Sequence, residues 1–175
     1  MANATAPLKS IIRDILDFPK KGILFKDITP LLKDPKAFHE AIDTMAEWLA
    51  PEKPDYILGI ESRGFIFSPV LAYKLNAGFI PVRKKGKLPH ETEEVAYALE
   101  YGEAVLEIHR DAVSAGARVA IVDDLLATGG TALAAAHLVE KLGGKVVSMS
   151  FLIELSFLNG REKLTQYPVK SVITY

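Results

Sequence analysis

The chain has 175 residues, 49% of them hydrophobic and 25% charged, with a net charge of −1, the length and composition of one globular domain with a substantial core. That charge balance argues against bulk binding to nucleic acid or to an anionic membrane. With no cysteine, disulfides and thiolate metal sites are excluded; no apolar stretch nears the ~20 residues of a membrane span, no signal peptide is evident, and a cytoplasmic location is the expectation.

Residues 8–17 carry helical apolar spacing, and Phe18-Pro19-Lys20-Lys21-Gly22 breaks that pattern. Ile23 to Ile28 reads as a short extended piece ahead of Pro30. Pro35 to Leu49 reads as an amphipathic helix with Phe38, Ile42, Met45 and Leu49 on one face, closed by Pro51 and Pro54. The pattern then alternates: a strand over Tyr56–Ile60, a helix over Gly64–Leu75, a strand over Phe79–Val82. Residues 83–103 are charged and lack a firm period. Val105–His109 reads as a strand, with Tyr97-Ala98-Leu99 as its hairpin partner. Val119–Val122 is a buried strand, Ala132–Leu142 a helix, Val146–Leu155 another apolar strand and Val169–Thr174 an edge strand. Strand–helix alternation predicts an α/β fold, a doubly wound, mostly parallel sheet with helices on both faces and ligands beyond the carboxyl ends of the strands. The chain, 1–175, reads as a single domain.

The most informative stretch is Val119-Ala-Ile-Val-Asp123-Asp124-Leu-Leu-Ala127-Thr128-Gly129-Gly130-Thr131. An apolar strand ends in two acids, a glycine-rich turn follows, and a helix starts behind it. Free N–H groups and the positive dipole end at a helix start suit a phosphate. Gly129 and Gly130 allow close backbone approach, and the hydroxyls of Thr128 and Thr131 can donate to the anion. Asp123 and Asp124 would repel a phosphate, but they accept hydrogen bonds well from vicinal hydroxyls such as those of ribose. They can also assist Mg²⁺, directly or through water. The pattern is that of a sugar-phosphate site.

This string resembles the 5-phosphoribosyl-1-pyrophosphate (PRPP) signature of the type I phosphoribosyltransferases, in the wording of their adenine-specific branch. The resemblance runs nearly end to end, from Asp17-Phe18-Pro19 to Gly160-Arg161-Glu162-Lys163-Leu164. It implies the type I phosphoribosyltransferase fold with a small N-terminal base-binding hood over residues 1–34, Mg²⁺ carried by PRPP without direct protein ligands, a homodimer, and conversion of adenine and PRPP to AMP and pyrophosphate. Two alternatives stay open: an oxopurine phosphoribosyltransferase acting on xanthine or guanine, and a non-catalytic PRPP-sensing regulator.

The resemblance also implies roles for residues. Asp123 and Asp124 would bind the ribose hydroxyls, and Ala127, Thr128, Gly129, Gly130 and Thr131 the 5-phosphate. The turn Glu61-Ser62-Arg63 would be the pyrophosphate loop, with a non-proline cis peptide at Glu61–Ser62 that turns N–H groups toward the anion. Arg63 has a guanidinium fork suited to it. In Arg83-Lys84-Lys85-Gly86-Lys87-Leu88-Pro89, four cations fall within five residues, the composition of a mobile anion clamp. Arg83, Lys84 and Lys87 would touch pyrophosphate, and Tyr101 would help position it. The acidic run His90-Glu91-Thr92-Glu93-Glu94 after this loop departs from the family pattern. Glu100 would be the catalytic residue, exchanging a proton with the purine N7. In the hood, Phe25 would stack on adenine, backbone groups around Leu24 and Lys26 would read its edge, and Leu155 would pack on its other face. Taken alone, Lys26 reads as an exposed lysine on a small core strand.

Overall fold

The computed structural model describes residues 5–98 and 103–175. Strands β3 (Tyr56–Ile60), β4 (Gly78–Lys84), β7 (Arg118–Leu126), β8 (Lys145–Glu154) and β9 (Val169–Thr174) pair in parallel, in the order β4-β3-β7-β8-β9. An antiparallel pair, β6 (Glu103–His109) and β5 (Thr92–Ala98), extends the sheet beyond β4. Helix α4 (Gly64–Leu75) leads from β3 outward to β4; helix α5 (Gly130–Lys141) leads from β7 the other way to β8. Right-handed crossovers in opposite directions put the two helices on opposite faces. The sheet is therefore doubly wound, and its switch point lies between β3 and β7, where a crevice opens at their carboxyl ends.

Strand alternation divides the core in two. Ile57, Ala120 and Val122 pack with α3 (Pro35–Leu49) and α4 on one face; Leu58, Ile60, Val119 and Ile121 pack with α5 on the other. Asp34 caps α3, accepting hydrogen bonds from the N–H groups of Lys36 (2.9 Å) and Ala37 (3.2 Å).

The N-terminal region differs from its sequence pattern. Helix α1 covers only Thr5–Ile11; Arg13–Leu16 is strand β1, antiparallel to β2 (Leu24–Asp27). Leu8 and Ile12 are both buried, so the helical period is real over one turn. Beyond it, tertiary pairing overrides it. The turn through the cis Phe18–Pro19 bond, Asp17 at φ +56 and Gly22 at φ +91 brings residues 13–16 alongside 24–27, and the backbone groups find partners across the hairpin. Thr29–Lys33 forms a further helix, α2, with Pro30 in its first turn, where proline costs no hydrogen bond. The segment 83–103, without a visible period, contains β5. Its alternation survives only in Val95 and Tyr97, which pack on the α5-side core; Glu93 and Glu94 occupy the positions before them.

Those acids are paired. Glu94 meets Lys85 at 2.8 Å, Glu91 meets Arg110 at 3.5 Å, and Glu93 bridges Arg110 and Lys141. The acidic run thus seats β5 against β6 and α5.

Candidate active site

The crevice at the switch point is a cleft of about 330 Å³ lined by Ser62, Arg63, Lys84, Tyr97, Asp123, Asp124, Thr128, Gly129 and Thr131, among others. Two turns build it: Glu61–Arg63 after β3, and Asp123–Thr131 at the end of β7.

Gly129, at φ +79, is the N-cap of α5. A left-handed residue there turns the chain so that the first N–H groups of the helix face outward, where they have no intrahelical acceptor. Ala127, Thr128, Gly129 and Thr131 line the cleft; Gly130 begins the helix behind them. A second close approach supports this turn: the carbonyl of Gly160 would stand 2.3 Å from a Cβ on Gly129. Arg161 holds that segment, donating from Nε to Glu154 at 2.9 Å and from Nη1 to the Val169 carbonyl at 2.7 Å.

Asp124 is buried and pairs with Arg63 Nε at 2.8 Å. Asp123 accepts the Asp124 N–H at 2.9 Å. Burial pushes the Asp123 carboxyl well above its ordinary range, and the neighbouring Asp124 charge adds to this. Burial also raises Asp124, against the opposing pull of Arg63. Each carboxylate has one donor, and each has acceptor capacity left at the cleft floor that hydroxyl groups of a ligand can use. Gly64 opens the space: a Cβ there would lie 2.9 Å from Asp123 Oδ1.

The Glu61–Ser62 bond is cis. Glu61 accepts Arg83 Nε at 3.2 Å and the Lys84 N–H at 3.1 Å; burial would raise its carboxyl, and these donors instead hold it low. Of Arg83, Lys84 and Lys87, the three loop cations expected at the pyrophosphate, Lys84 lines the cleft. Arg83 is engaged by Glu61 and by the Lys87 carbonyl at 3.0 Å, and neither Arg83 nor Lys87 is among the lining residues.

The hood approaches the cleft at Phe25, whose ring centre lies 5.0 Å from the guanidinium carbon of the cleft residue Arg63 and 5.1 Å from the Phe18 ring. Leu24 is exposed. Lys26 is not the exposed lysine read from the isolated strand: it is 8% exposed, 2.6 Å from Asp14, with its ammonium 3.8 Å from the Tyr175 ring centre. An acid and an aromatic face compensate its charge, and both come from segments remote in sequence. Leu155 is half-buried at the end of β8, its N–H bonded to the Leu126 carbonyl at 2.9 Å. Glu100 and Tyr101 lie outside the described residues.

Sequence reasoning missed Tyr97 as a cleft residue; its signal was the two-residue spacing to Val95. It also missed Glu107, an acid inside the otherwise apolar run Val105–Ile108. Among the described residues, no group of three or more His, Cys, Asp and Glu is arranged to hold a metal ion, and no helix is long and apolar enough to cross a membrane.

A mostly parallel, doubly wound sheet with paired acids and a phosphate-suited turn at its switch point defines a sugar-phosphate class of site. The chain belongs to the phosphoribosyltransferases: the sequence model of the phosphoribosyl transferase domain matches residues 31–174. It is 62% identical over 168 residues to the adenine phosphoribosyltransferase of Brachyspira hyodysenteriae, covering 96% of this chain and 99% of that one. Among solved structures, the adenine phosphoribosyltransferase of Thermoanaerobacter pseudethanolicus superposes with a TM-score of 0.95 at 57% identity, over 98% of this chain and 100% of that one. The enzyme of Saccharomyces cerevisiae, solved in complex with adenine, gives a TM-score of 0.91 at 45% identity, over 96% and 97% of the two chains.

Proposed function

We propose that this protein transfers the 5-phosphoribosyl group from PRPP to adenine, giving AMP and pyrophosphate. The observation that carries the reading is the joining, in one cleft, of the Asp123–Asp124 pair, the Ala127–Thr131 turn and the Glu61–Arg63 turn, in a chain 62% identical to a named adenine phosphoribosyltransferase.

In this reading Asp123 and Asp124 accept hydrogen bonds from the ribose hydroxyls. The N–H groups and hydroxyls of residues 127–131 hold the 5-phosphate. Ser62, Arg63, Lys84, the Glu61 backbone and Tyr101 meet the pyrophosphate, with Arg83 and Lys87 shaping the loop beside them. Phe25 stacks on adenine, Leu155 flanks it, and backbone groups of Leu24 and Lys26 read its edge. Adenine N9 attacks C1 of the ribose as the C1–O bond to pyrophosphate breaks, and Glu100 accepts the proton that leaves N7. The protein contributes position and charge stabilisation of the leaving group, with no covalent intermediate on a side chain.

Mg²⁺ belongs to this proposal. Two cleft carboxylates without a third ligand suit an ion that keeps its waters and is held chiefly by substrate oxygens. When bound it neutralises charge on the departing pyrophosphate. We further read the chain as a single domain with residues 1–34 as its hood. It is read as a cytoplasmic protein, and as a homodimer whose apolar face includes Val70, Tyr73 and Phe79, which are exposed here. Purified protein given Mg²⁺, PRPP and adenine should form AMP and pyrophosphate in equal amounts. PRPP binding without turnover would favour the regulator instead.

A further inference from the structure

Glu107 is a buried acid with no part in the chemistry above. It is 3% exposed, sits between the buried Leu106 and Ile108 on β6, and lies directly across from Arg83 on β4. Its Oε1 accepts the N–H groups of Lys87 at 2.8 Å and Leu88 at 2.7 Å, and the Gly86 N–H also reaches the carboxylate. Burial would push this carboxyl up; the three N–H groups outweigh it and keep the acid low, hence charged. Successive N–H groups around one anion form a nest, and here the anion is a side chain of the protein itself.

The other end of the same segment is held as well. Glu61 takes the Lys84 N–H, and Arg83 Nη1 reaches the Lys87 carbonyl at 3.0 Å. Two carboxylates, one in the turn after β3 and one on β6, therefore fix the backbone of residues 84–88, while Lys84 alone of its cations enters the cleft. In this conformation the segment is a turn tied at both ends.

We infer that Glu107 is the positioning residue of the pyrophosphate-binding turn, its carboxylate fixing the backbone of residues 86–88 so that Lys84 is presented to the leaving group. The inference rests on the PRPP reading of the cleft. A neutral glutamine keeps one acceptor oxygen for these N–H groups but loses the negative charge that strengthens every bond of the nest, and it faces the remaining donor with an NH₂ group, without changing size.

The test compares Glu107→Gln with wild type in steady-state kinetics and in amide hydrogen exchange. The expected result is a KM for PRPP raised about tenfold with the KM for adenine within about twofold, an effect the size of one charge-assisted hydrogen bond. Faster exchange at residues 86–88 should accompany it. A merely structural role would lower stability and leave both KM values alone. An unchanged KM for PRPP with protected amides would overturn the inference, as would equal rises in both KM values. If Glu107→Gln does not fold, Gly86→Ala decides: a Cβ there meets nothing within 4 Å, but its φ of +81 is strained for alanine, so it reshapes the nest alone. It should give the same PRPP-selective loss, and a normal KM for PRPP would overturn the inference. Wild type that fails to bind PRPP would overturn the functional reading and this inference with it. Wild type and Glu107→Gln that bind PRPP equally would overturn the inference alone.

Discussion

Gly129 and Gly160 meet backbone to backbone. A Cβ on Gly129 would stand 2.3 Å from the Gly160 carbonyl oxygen, and one on Gly160 would stand 2.1 Å from that of Ala127. No side-chain rotation relieves a contact with backbone, so Gly160→Ala must displace the 127–129 turn. The expected outcome is a loss of about 2 kcal/mol in stability and a KM for PRPP raised about tenfold or more, as misplaced binding groups produce. Chemical denaturation and initial-rate kinetics check both.

Asp123 is held at a cost. Its folded-state pKa lies above the unfolded value because burial, then Asp124, disfavours its charge. The folded state thus binds a proton that the unfolded chain releases, and stability falls as pH rises from the unfolded value through the folded one. Asp123→Asn removes that penalty. The variant should melt about 2–4 °C higher than wild type near pH 7, with the gain disappearing below about pH 4, where the unfolded carboxyl is also protonated. It should bind PRPP weakly, since its amide offers the ribose one acceptor in place of two. A lower Tm at neutral pH would contradict the account of the pair.

Glu154 shows the opposite sign. The Arg161 hydrogen bonds depress its carboxyl, with Ser171 helping from 2.8 Å. This contribution is complete above the usual glutamate pKa and is lost as pH falls through the lower folded value. Arg161→Ala should cost about 2 kcal/mol near pH 7, less than a fully buried pair because the guanidinium is half exposed. The difference from wild type should shrink in acid. Urea titrations at a neutral and an acidic pH measure it.

Much of the site was legible because its parts are contiguous. A strand, two acids, two glycines and a helix within 119–142 announce themselves locally, and the sheet delivers them as periodicity says it should. The illegible parts depend on distant partners. Arg13–Leu16 becomes a strand because Leu24–Asp27 lies beside it. Lys26 is buried because Asp14 and Tyr175 receive it. Thr92–Ala98 hides its alternation because its acids answer to Lys85, Arg110 and Lys141. Gly160 supports the phosphate turn from more than thirty residues away along the chain, a contact no local pattern encodes.

Lys26 supplies a test of the hood. Its ammonium anchors β2 to β1 and to Tyr175, one residue from Phe25. Lys26→Met keeps the apolar stem and leaves Asp14, half exposed, to solvent. The expected stability loss is about 1 kcal/mol. The KM for adenine should rise severalfold as Phe25 loses its fixed backbone, with the KM for PRPP little changed. Initial rates at varied adenine and varied PRPP separate the two.

The most direct test of the central claim is a competition. Wild-type protein is given Mg²⁺, PRPP and equal concentrations of adenine, hypoxanthine, guanine and xanthine, and every nucleotide formed is quantified together with pyrophosphate. AMP as the dominant product, with one pyrophosphate per AMP, is the predicted result. A predominance of any oxopurine nucleotide, or PRPP left intact beside all four bases, would contradict it.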